Sequence, residues 1–72
     1  MTIETMLSNK LGITYIDARS ICVEAKLSLG VTGYPTQEQK ELLLEEGVRL
    51  YEERPLRVRE AMKSNRQSLD AG

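Results

Sequence analysis

No histidine, phenylalanine or tryptophan occurs in these 72 residues, and cysteine occurs once. Without histidine there is no Ser-His-Asp or Cys-His arrangement and no HExxH motif, and the commonest general base and zinc ligand is missing. The single cysteine, Cys22, excludes an internal disulfide framework and a multi-cysteine zinc site. It sits among apolar residues and reads as a small core side chain. Gly30 and Gly33 complete neither a GxGxxG fingerprint nor a P-loop, and no DxDxDG calcium loop appears. No stretch approaches the ~20 apolar residues of a membrane span. The opening MTIETMLSNK lacks the apolar run of a signal peptide. These absences set the expectations: a non-enzymatic chain with no cofactor, no metal, no small-molecule substrate and no membrane partner, in a soluble, intracellular, cytoplasmic setting.

Three tyrosines are the whole aromatic supply. The core must therefore come from Leu, Ile, Val, Ala and Met, a mix that suits helix packing better than a β-sandwich. The length allows one domain. A chain this short buries only about 60% of the surface its unfolded form exposes.

Apolar spacing and capping residues divide the chain into helices. Ile3, Met6, Leu7 and Leu11 fall at helical intervals, and Gly12 suits a helix stop. Thr14 with Asp17 offers an N-cap and a capping-box partner for a second helix, from about residue 15 to Leu29, with Gly30 as its stop. This second helix carries two apolar stripes: Tyr15, Ala18, Cys22, Ala25 and Leu29 on one, and Ile16, Val23 and Leu27 on the other, interrupted by Ser20. A surface helix normally shows one stripe. Two imply either a central helix or one face used for a partner. GVTGYP at 30–35 is a loop. Thr36 with Gln39 repeats the capping-box pattern and opens a long third helix, with Leu43, Leu44, Val48 and Tyr51 on one face and Gly47 in the middle of the stripe. Gly47 leaves two readings open: close backbone approach by another helix, or a glycine that is merely tolerated. Pro55 should kink that helix or start a fourth, ending near residue 65. Residues 67–72 read as a flexible tail beyond a single domain spanning 1–66.

Net charge is −1, but it is unevenly placed. Over residues 36–53, six glutamates oppose Lys40 and Arg49, leaving −4; over 54–66, five cations oppose Glu60, leaving +4. Adjacent glutamates at 45–46 and 52–53 diverge on a helix and make poor acid/base pairs. Glu45 has Arg49 four residues on, a favourable salt-bridge order. Ser64 and Ser68 lie near basic residues, a pattern too common to carry a regulatory reading.

Leu11-Gly12-Ile13-Thr14 is similar to the turn of helix-turn-helix domains, which implies that the following helix enters a DNA groove. Here that helix would bring Arg19 and Lys26, offset by Asp17 and Glu24. The same stretch resembles the hydrophobic-Gly-hydrophobic loop of ubiquitin-associated (UBA-like) three-helix domains, which implies a partner-binding patch at Leu11, Gly12 and Ile13. Gly12, Asp17 and Arg19 also resemble the N-terminal helical module of elongation factor Ts.

Taken together, the sequence predicts an all-α fold, a small three- to four-helix bundle with a long third helix kinked or broken at Pro55. The expected function is protein–protein interaction, with a partner or with a second copy, through Leu11, Gly12, Ile13, Ile16, Val23 and Leu27. The alternative is nucleic-acid binding through Arg54, Arg57, Arg59, Lys63 and Arg66, helped by Arg19 and Lys26.

Overall fold

Thr2, Thr14 and Thr36 each hold extended backbone, and the hydroxyl of each accepts from the amide three residues on at 3.2 Å. Such N-caps satisfy donors that a helix start leaves open. They begin α1 (Ile3–Leu11), α2 (Tyr15–Leu29) and α3 (Gln37–Glu52); α4 follows at Leu56–Ala71. The computed structural model describes residues 2–71 and shows four helices and no strand among them. None of these helices is long and apolar enough to cross a membrane. Gly12 and Gly30 close α1 and α2 in the left-handed region, both at φ 69°, with their amides returned to the carbonyls of Ser8 and Lys26. Glycine takes that conformation without a Cβ clash.

The full capping box forms at Thr36, where Gln39 Oε1 accepts from the Thr36 amide at 2.9 Å. At α2 only half of it forms. Thr14 caps Asp17, but no return bond from the Asp17 side chain closes the box, and Asp17 Oδ2 has no hydrogen-bond partner.

The chain separates two helices around Pro55 rather than kinking one. α3 ends at Glu52, and the Pro55 carbonyl accepts from the amides of Val58 and Arg59, the first of α4. Proline disfavours helical backbone at Arg54 but suits the start of a new helix. α4 continues through Ala71, over positions that their polar composition assigned to a tail. The segment from Ser64 to Leu69 has no glycine or proline to stop it, and polarity alone does not end a helix.

α1, α2 and α3 pack on one another around Leu7, Ile13, Ile21, Leu43, Cys22, Ala18 and Ala25, all essentially without exposure. Ile3, Tyr51 and, from α4, Met62 complete this cluster, with Val58 packed against it. The molecule measures 35 × 25 × 15 Å. Its thinness depends on small residues where helices meet. At Gly47 a Cβ would lie 2.9 Å from Leu7 Cδ1, 3.0 Å from Leu7 Cδ2 and 3.5 Å from Ile21 Cγ2.

Helix propensity alone would make Gly47→Ala stabilising by about 1 kcal/mol. Leu7 is fully enclosed, however, and overpacking a filled core costs about 1–3 kcal/mol. Gly47→Ala is therefore expected to lower stability, by up to about 2 kcal/mol once the propensity gain is subtracted. Thermal unfolding checks this; a Tm above wild type would show that Leu7 has room to move.

Candidate functional site

α2 wears its side chains in the opposite order from an ordinary surface helix. Inward it presents Ala18, Ile21, Cys22 and Ala25, all buried. Outward it presents Ile16, Val23 and Leu27, exposed by 76%, 50% and 79%. The small inward residues let α1 and α3 approach α2 closely, while larger apolar groups stand in solvent. Burying a side chain of this kind is worth about 1.5–3 kcal/mol, and the monomer leaves most of that unrealised at three positions. Ile16, Ser20, Val23 and Leu27 follow one another at steps of four, three and four residues, forming one line about 16 Å long at the helical rise. Tyr15 and Leu29 are also exposed, but by helical position they belong to the other stripe.

Charge borders this line differently on its two sides. By helical position Arg19 and Lys26 occupy one edge, Glu24 and Asp17 the other. The acidic edge is tied to the α3 side of the fold. Glu24 Oε2 accepts from Arg54 Nη2 at 2.7 Å, and Ser28 donates its hydroxyl to Glu46. Arg49 grips the Glu46 carboxylate through Nε and Nη2, both at 2.7 Å, and reaches Glu53 at 2.6 Å. Arg49 thus pairs with Glu46 and Glu53, not with Glu45 as helical spacing suggested. Glu46 wins because Ser28 holds it between α2 and Arg49. The hydrogen bonds from Arg49, then Ser28, keep the Glu46 carboxyl down at about 2, against an ordinary value of 4.5.

The Leu11-Gly12-Ile13 turn is a packed corner rather than an open loop. Ile13 is fully buried and Leu11 packs half-buried against the core, while Gly12 is the αL cap of α1. Ser8 Oγ donates to the Ile13 carbonyl at 2.6 Å. From α4, Arg66 Nη1 donates to the Ser8 carbonyl and hydroxyl, both at 3.0 Å, and to the Ile13 carbonyl at 3.1 Å. A cation at the C-terminus of α1 also meets the negative end of its dipole. Of the six residues expected to meet a partner, Ile16, Val23 and Leu27 share one open face. Ile13 lies out of reach, because its side chain is needed to close the corner between α1 and α2.

The basic side chains are largely engaged within the fold. Arg54 holds Glu24 and the Leu50 carbonyl, Arg59 donates to the Arg54 carbonyl, and Arg66 clamps the α1–α2 corner. Arg57, Lys63 and Arg19 are exposed, and Lys26 is half-buried. Burial, and next the charge of Glu4, push the Cys22 thiol up, so it behaves as a core group. Among the described residues no cluster of three or more His, Cys, Asp or Glu could hold a metal ion. Tyr15 keeps its place on the Ala18–Cys22–Ala25 stripe by helical position, yet it is half-exposed. Its position at the first turn, beyond the reach of the core, is what exposes it.

Arg66→Met should cost about 1.5–3 kcal/mol, the range for hydrogen bonds to a charged group, and should speed amide exchange in α4 more than in α2. Equal acceleration in both helices would contradict a local clamp. A second expectation concerns pH. Because folding lowers the Glu46 pKa, its ionised form favours the fold above about 4.5, and that contribution fades as pH falls toward about 2. Comparing Tm of wild type with Glu46→Gln should show the gap narrowing across that interval. The gap should be small throughout, since Arg49 is half-exposed and solvent screens the pair.

No family model matches this sequence, no curated protein matches it, and no solved structure matches its fold.

Proposed function

We propose that this chain is a non-enzymatic helical interaction module that binds a protein surface, a partner's or its own, through the outer face of α2. The observation that carries this reading is the size inversion of that helix. Ile16, Val23 and Leu27 stand exposed in a line, while of the core-side residues Ala18, Ile21, Cys22 and Ala25 only Ile21 is large. Single exposed apolar residues are ordinary; a contiguous strip rimmed by charge marks an interaction surface. The core is already complete without these three side chains, so their apolar character has no use in holding the monomer together.

The nucleic-acid alternative gains no support from the basic segment. Its Arg54, Arg59 and Arg66 are held by carbonyl or carboxylate groups of the fold, which leaves Arg57 and Lys63 from that set standing in solvent. With Arg19 of α2 added, three exposed cations in a chain of net charge −1 neutralise few phosphates.

A photo-activated cross-linking residue placed at position 27 tests the face directly. Adducts to a protein should form from position 27 and not from position 45, which lies on the exposed side of α3. Leu27→Glu should leave the unfolding free energy within about 0.5 kcal/mol of wild type, as for other surface changes. A chain that folds normally yet yields no adduct from position 27 in its native setting would remove this reading.

A further inference from the structure

We infer that the partner of this face is a second copy of the same chain, docked with the two α2 helices parallel about a two-fold axis that runs along them. This rests on the reading above and adds to it the identity of the partner and its orientation.

The spacing comes first. Steps of four, three and four place Ile16, Ser20, Val23 and Leu27 on the seam of a coiled-coil-like pair, with Ile16 and Val23 as one kind of seam position and Ser20 and Leu27 as the other. In such a pair the residues flanking the seam decide orientation. Here Arg19 and Lys26 precede seam positions on one edge, and Asp17 and Glu24 follow seam positions on the other. A two-fold axis along the helices lays the basic edge of one copy on the acidic edge of the other. A two-fold axis perpendicular to them lays basic on basic and acidic on acidic. Charge therefore selects the parallel arrangement. Arg19 precedes Glu24 by five residues, the offset at which flanking positions of parallel seams meet, so each Arg19 reaches Glu24 of the second copy and the contact occurs twice.

The fold supports the pairing in two further ways. Arg54 already holds Glu24 at 2.7 Å, so this carboxylate is oriented before association and less side-chain freedom is lost. The flanking charges Arg19 and Glu24 are themselves exposed beside the stripe. The size of the seam sets the strength. A line about 16 Å long cannot supply the roughly 1,200–2,000 Å2 that stable interfaces bury. Association should be weak, with Kd on the order of 10⁻⁴ M. Ser20, small and polar at mid-seam, limits it further, since two copies meet there with no apolar contact to gain.

Sedimentation of the full chain from micromolar to millimolar concentration, with four variants, tests this. Wild type should pass from monomer to dimer. Ser20→Leu should tighten association roughly tenfold by adding an apolar layer, and Arg19→Glu should loosen it by about as much. Arg19→Glu combined with Glu24→Arg should restore it in part, because the swap keeps parallel edges complementary while it sets a second cation beside Arg54. Leu27→Cys should form a disulfide-linked dimer on oxidation, since residue 27 meets its own counterpart only when the helices run parallel; buried Cys22 gives the background. Thermal melts separate loss of fold from loss of association. A dimer that fails to cross-link through residue 27 and is not restored by the charge swap would overturn the parallel arrangement. Wild type and Ser20→Leu both remaining monomers at millimolar concentration would overturn self-association. The adducts formed from position 27 would still decide whether another protein uses the face.

Discussion

The Leu7 methyl groups lie 2.9 and 3.0 Å from where a Cβ of residue 47 would be, and the packing of α1 on α3 is built around that contact. With no side chain at residue 47, Leu7 of α1 packs directly against the α3 backbone. Ala18 and Ala25 likewise let the other helices approach α2 closely, so three helices close on a handful of large side chains: Leu7, Ile13, Ile21 and Leu43. A chain with so few aromatics must build its core this way, by drawing backbones together rather than filling space between them. The consequence is a molecule only 15 Å across its thinnest axis. Such a body has no depth in which to hide the large apolar residues of its middle helix.

α4 is held on different terms. It adds Met62 and Val58 to the edge of the core, but its most specific attachment is Arg66 at the α1–α2 corner. The Ser8 carbonyl receives the amides of Gly12 and Ile13 as well as the guanidinium. Helix end, glycine turn and distant cation thus share one acceptor. The net +4 of residues 54–66, which suggests an outward-looking basic patch, is spent in good part on such inward bonds.

Features that follow from local rules were legible in the sequence. Thr36 with Gln39, and Gly12 and Gly30 as helix stops, depend on residues three or four positions apart, and each is formed. Gly47 in an apolar stripe leaves close approach and mere tolerance equally open, and the Leu7 side chain against it answers for close packing. The two stripes of α2 were also legible. Features that depend on which side chain another element brings were not. Ile13 is buried because α1 and α2 fold over it, and Arg66 is engaged because α4 crosses a corner 53 residues earlier in the chain. Glu46 rather than Glu45 takes Arg49 because Ser28 of α2 stands beside it. Spacing within one helix contains none of that information. The length of α4 is hidden for a simpler reason: polar composition suggests a tail, yet residues 64–69 contain no stop signal.

The placement of large and small residues on α2 carries the functional account, and methyl NMR in dilute solution with a soluble paramagnetic agent reads it most directly. The account predicts strong broadening of the methyl signals of Ile16, Val23 and Leu27, and little of those of Leu7, Ile21 and Leu43. Protection of Ile16, Val23 and Leu27 in the dilute monomer would mean that the chain covers this face itself, and would contradict the account.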